Sequence, residues 1–176
     1  MGDKPSVESD ALVWNKILIP KHRFVLWIAT HRKLLTRDRL MKIGVHCDGV
    51  NNVFCDIQIL ESDAHLFLEC MIALDLWRSV ADWSGFNITL SDVPNTIKSI
   101  QQRHWKWFKK DVVAASYGTM VYNIWHARNV KMFRGQVVSV SHILQQIQIT
   151  VKERIDMFSA SKRARKCAGF LAMVCK

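Results

Sequence analysis

Cys55, His65 and Cys70 are the residues of this chain whose types and spacing could hold a metal ion, with Cys47 as a further thiol upstream. A thiol on a short connection, followed by a histidine and a cysteine in the first turns of a helix, can gather sulfur and imidazole ligands into the tetrahedron that structural zinc prefers. The set is short of one ligand. Gln58 is a neutral amide and a poor zinc ligand, so closure needs Cys47, His46 or a carboxylate such as Asp56. The competing reading makes Cys55 and Cys70 small buried hydrophobes and His65 a hydrogen-bonded helix residue. Three ligands and a water would resemble a hydrolytic zinc centre, but no activating constellation accompanies them.

The second chemistry is electrostatic. The chain is 176 residues long with a formal charge of +10, unevenly spread. Lys21, Arg23, Arg32, Lys33, Arg37, Arg39 and Lys42 face Asp38 alone in their segment, a surplus able to neutralise phosphates. From Ile43 to Trp77 there is no lysine or arginine, and Asp48, Asp56, Glu61, Asp63, Glu69 and Asp75 make the metal-like segment acidic. Phosphate contact therefore belongs to the flanks, and Lys21, Arg23, Arg32, Lys33, Arg37 and Arg39 are the candidate nucleic-acid-binding residues. Positive charge returns at Lys98 to Lys110, Arg128 to Arg134 and Lys162 to Lys166, the last a short run that could serve nuclear import, bind nucleic acid or simply end a solvated helix. Trp105 is the tryptophan expected to be exposed for base stacking.

Catalysis finds no support. Polymerase and nuclease chemistry needs clustered carboxylates for paired metal ions, and here the acids are scattered. Tyr-x-Asp-Asp, the Gly-x-Ser-x-Gly elbow, the Gly-x4-Gly-Lys-Ser/Thr phosphate loop and His-Glu-x2-His are all missing. The expectation is a protein that is not an enzyme.

The elements that must position these residues read as helices. Hydrophobic content of 49% suffices for a real core. Phe24, Trp27, Ile28, His31 and Leu35 share one helical face after Pro20, Thr36 is placed to cap a short helix ending near Gly44, and Ser62 to cap a long one running to Ser84-Gly85. A second helical block spans about Arg103 to Phe133, with Gly118 in its middle, and Ser139 or Ser141 opens a final helix. Only Val50 to Ile59 suggests a small ribbon. The fold class expected is all-α, with an irregular Cys/His insertion. The divisions expected are 11–85, a helical extension over 86–166 and a tail over 167–176. No apolar stretch is long enough to span a membrane, and five non-clustered cysteines suit thiols, so an intracellular protein of nucleus or cytoplasm is expected.

The run Trp14-Asn-Lys-Ile-Leu-Ile-Pro-Lys-His-Arg-Phe-Val-Leu-Trp-Ile-Ala-Thr-His-Arg-Lys-Leu-Leu-Thr-Arg-Asp-Arg-Leu40, followed by Cys55, His65-Leu66-Phe67 and Cys70, resembles the zinc-binding domain downstream of the polymerase in plant LINE-type, non-LTR reverse transcriptases. That pattern carries Cys-x2-Cys-x6-His-x4-Cys, and Gln58 replaces its second cysteine. Tyr122-Asn-Ile-Trp-His-Ala-Arg-Asn129, with Phe133, resembles the Ile-Trp-x-x-Arg-Asn-x-x-x-Phe segment that precedes the ribonuclease H domain of such elements. Together these align Leu12 to Asp156 in order, covering neither polymerase nor ribonuclease H. The resemblance implies zinc at Cys55, His65 and Cys70, with Cys47 a substitute ligand, and RNA or DNA as partner. A different class of function stays open: a protein-interaction module using Trp105, Trp107 and Phe108, or a retroelement fragment with no selected activity.

Overall fold

Every residue from Val112 to Val121 is buried, so the helix that contains them must be covered on all sides. That helix, α6 (Trp107–Arg134), is the axis of the computed structural model, which describes residues 7–47, 49–54, 58–86, 88–137 and 139–176, with side chains from Asp10 onward. Around it in chain order come α1 (Val7–Val13), α2 (Pro20–Thr30), α3 (Arg37–Lys42), a π-helical turn (His65–Glu69), α4 (Met71–Ser84), α5 (Val93–Gln102), α7 (Val140–Phe158), α8 (Lys162–Arg165) and α9 (Ala168–Val174). α6 packs directly against α1, α2, α4, α5, α7 and α8. The fold is all-α. Among the described residues the only β pairing is one antiparallel bridge, Asn51 to Leu60, flanked by Asn52 N–H to Ile59 C=O (2.9 Å) and Glu61 N–H to Val50 C=O (3.0 Å). This closes the loop expected as a ribbon; Ile57 lies outside the described residues.

Gly118 explains how α2 and α6 come so close. A Cβ built there would meet Leu18 Cδ2 at 2.8 Å and Leu26 Cδ2 at 2.9 Å, so the missing side chain makes room for both leucines. The helix stays continuous through it.

Three local expectations need correction. α2 ends at Thr30, so Leu35 lies beyond it and is 50% exposed, and Phe24 within it is 56% exposed; the helix buries His22, Leu26 and Ala29. The helix is apolar on more than one side, and Gly118 selects the face that can approach α6. The helix expected from Ser62 to Ser84 is interrupted: Ser62 Oγ does accept from His65 N–H (3.1 Å), but the first turn widens and Cys70 adopts an extended conformation before α4 starts. Gly85, at φ +62°, then ends α4 as expected. Thr36 stands at the start of α3 but gives its hydroxyl proton to Asp38 rather than capping a backbone amide. Ser139 caps α7 through His142 N–H, and the stretch expected as a tail forms α9, which contacts α4 and α8.

Candidate functional site

His65 and Cys70 bracket the π-helical turn. Cys70 N–H donates to His65 C=O at 2.8 Å, the i to i+5 bond that defines such a turn, and both side chains are buried, among Leu66 and Phe67. Widened turns of this kind recur at functional positions because they displace side chains from ordinary helical register. His65 Nδ1 lies 3.6 Å from Glu69 Oε2. Cys47 is half-buried, its thiol 3.8 Å from Val45 C=O, and Gln58 is exposed. Cys55, like Asp56, lies outside the described residues. Among the described residues no three His, Cys, Asp or Glu side chains gather as a metal-binding group. The described part of the segment therefore contributes a buried His/Cys pair, not a four-coordinate set.

Glu61 is the residue that ties this segment to the rest of the molecule, and its role was not legible in sequence. It is fully buried. Arg128 donates from Nε to Glu61 Oε2 at 2.9 Å and from its second nitrogen to Oε1, while its remaining nitrogen reaches Asn129 Oδ1 at 2.8 Å. The guanidinium also lies over the Trp125 ring, 4.8 Å from its centre. Glu61 Oε1 further accepts from Arg37 N–H (3.1 Å), and Glu61 C=O from Asp38 N–H (3.0 Å), so one residue satisfies two of the free amides opening α3. The Trp-x-x-Arg-Asn block is thus the anchor of the Cys/His segment. The sequence shows Trp125, Arg128 and Asn129 as one block, but nothing in the spacing points to Glu61 over the other acids.

The six candidate cations have unequal tasks. Arg23 is spent on the chain itself: Nε donates to Leu18 C=O at 2.6 Å, and another nitrogen to Lys16 C=O at 3.3 Å. Burial, then the neighbouring charge of Arg154, lowers its pKa. Arg32, with φ +53°, ion-pairs with Asp92, and Arg39 donates to Arg32 C=O at 3.0 Å. Arg32, Arg39 and Lys42 line a cavity of about 280 Å³ together with Asp38, Asp63 and Asp92. Asp63 is pushed up to about 6, first by burial and then by Asp38, against the pull of those cations. Arg37 and Arg39 belong to the short α3, whereas Lys21 and Lys33 are exposed, with Lys21 Nζ 5.0 Å from the Tyr122 ring centre. The surface is cationic at these lysines and mixed at the cavity.

Of the aromatic trio, Trp105 is half-buried beneath Lys109 and Arg103, Phe108 is buried, and Trp107 is 56% exposed. The exposed indole is that of Trp107, two residues from the expected one.

Residues 1–77 match the family model for zinc-binding in reverse transcriptase. The match carries the resemblance of the amino-terminal part and stops short of α6, so Arg128 lies beyond it. No curated protein and no solved structure matches the chain. No helix among the described residues is long and apolar enough to cross a membrane.

Proposed function

We propose that this chain is a non-catalytic nucleic-acid-binding accessory module derived from the reverse transcriptase of a plant LINE-type element, acting inside the cell, with zinc as a stabilising ion. The observation that carries the reading is the family match over residues 1–77, which includes the Lys21 to Lys42 segment where seven cations stand against one acid. Docking is electrostatic and weakly sequence-specific, because phosphate contacts position a protein without reading bases. Lys21 and Lys33 make the first contacts. Arg32, Arg37 and Arg39 contribute by exchanging internal partners for phosphates, while Arg23 holds the loop before α2. If zinc binds, His65 and Cys70 are the described ligands and Cys55 and Cys47 the remaining thiols; the ion would fasten the segment that Glu61 already anchors.

The test is binding of the purified chain to labelled single-stranded RNA, duplex RNA and DNA across a salt series. The R32Q/K33Q/R37Q/R39Q variant should bind more weakly with a shallower salt dependence while keeping its helical circular dichroism. K21Q/K33Q supplies the same reading without touching any internal hydrogen bond. Full affinity and slope in K21Q/K33Q and in a folded quadruple variant would remove this surface from the binding reaction.

A further inference from the structure

Two basic runs that are distant in sequence become one surface in the fold. α8 packs against α6, and Lys106 Nζ donates to Lys166 C=O. Lys109 Nζ sits 4.7 Å from the ring centre of Trp105 and 4.8 Å from that of Phe170 in α9. Arg163 comes near enough to Asp111 to act on its carboxylate. The connection before α6, the first turn of α6, α8 and the start of α9 are therefore contiguous. No ion pair among the described residues engages Lys106, Lys109, Lys110, Arg163, Arg165 or Lys166.

Fold stability alone argues against this arrangement. α6 begins without a side-chain cap and without an acid in its first turn, although its exposed amide end favours negative charge. Lysines there repel both the helix end and one another. Lys106 and Lys110 are held by the carbonyls of Lys166 and Gln101, but no acid beyond half-buried Asp111 offsets the accumulated charge, which leaves a cationic surface open to an anionic ligand. Trp107 adds the second requirement. Trp107 is 56% exposed inside this cationic rim, with Lys110 Nζ 5.1 Å from its ring centre. Cations take phosphates and a flat, accessible indole takes a base face; a duplex offers the first and hides the second.

We propose that this surface, built by Trp107 with the lysines and arginines of the α6 start and α8, is a docking site for single-stranded nucleic acid. It adds a second contact region to the reading above and can fail while that reading stands.

The experiment is fluorescence anisotropy of the full chain with a labelled oligothymidylate of about 15 nucleotides, and with a duplex of equal length, between about 50 and 200 mM salt. W107A should weaken single-strand binding about tenfold and leave duplex binding within about twofold. K162Q/R163Q/K166Q, all at exposed positions, should lower the slope of log K against log salt by about 2, at about 0.7 per phosphate contact. Circular dichroism verifies that both variants fold. Unchanged single-strand affinity in both, with R32Q/K33Q/R37Q/R39Q losing it, would overturn this site and leave the amino-terminal surface standing. Equal losses of W107A on single strand and duplex, or displacement of the strand by polyglutamate as readily as by unlabelled oligothymidylate, would also overturn it. Absence of any binding at low salt would overturn both readings together.

Discussion

At the scale of single residues, the pair Glu61 and Arg128 decides the most. Both side chains are almost wholly removed from water, and removing one partner leaves the other as an uncompensated buried charge. E61A and R128A should each cost about 3–5 kcal/mol in urea unfolding, and the double variant markedly less than their sum. Additive losses would show that the pair does not act as a unit. The contrast with the metal residues is instructive. Cysteine and histidine announce themselves by type, so His65 and Cys70 could be chosen from sequence, whereas a buried glutamate looks like any acid until its partner 67 positions away is known. Even so, type fixed neither the π-helical turn, in which Leu66 and Phe67 are buried, nor the break at Cys70. Native mass spectrometry should show at most one zinc per chain; two would require ligands outside Cys47, Cys55, His65 and Cys70.

At the scale of elements, the contact of α2 with α6 shows why helix existence is easier to read than helix orientation. Pro20 and the spacing of apolar residues revealed a helix; its several apolar sides left the buried one undetermined until Gly118 admitted Leu18 and Leu26. G118V should destabilise the chain by about 1–3 kcal/mol, because the added methyl groups have no space between those leucines. A neutral effect would mean that α2 shifts freely. His22 sits in the same contact, its Nδ1 3.2 Å from Thr119 Oγ1 and its ring stacked on Tyr122. Burial, assisted by Lys21, lowers its pKa from 6.5 to about 3. Between those values the unfolded chain takes up a proton that the folded chain refuses, so this histidine's contribution to stability is full above about 6.5 and falls as pH falls toward 3. Asp63 and Asp111, both pushed up to about 6 chiefly by burial, act in the opposite direction, so the comparison must isolate His22. The destabilisation caused by H22N should therefore be larger at pH 7 than at pH 5. The reverse order would mean that His22 is charged in the fold.

At the scale of the whole molecule, the all-helical class followed from composition and periodicity, but the joining of its parts did not. Periodicity reports which face of a helix is apolar, not which distant helix will cover it. α6 supplies the common core, and Arg128 reaches from it into the segment that resembles a zinc-binding domain. A fragment ending at Gly85 would lack that core and that partner, and should show little cooperative unfolding; a sharp transition in the isolated fragment would contradict this dependence. The same joining creates the surface where α8 meets the start of α6. Charge-driven binding of nucleic acid is tested most directly by the salt dependence of the full chain's affinity for a single-stranded oligonucleotide. The prediction is measurable binding at low salt with log K falling linearly as log salt rises, at a slope of several contacts. Binding that is absent at low salt, or indifferent to salt, would contradict it.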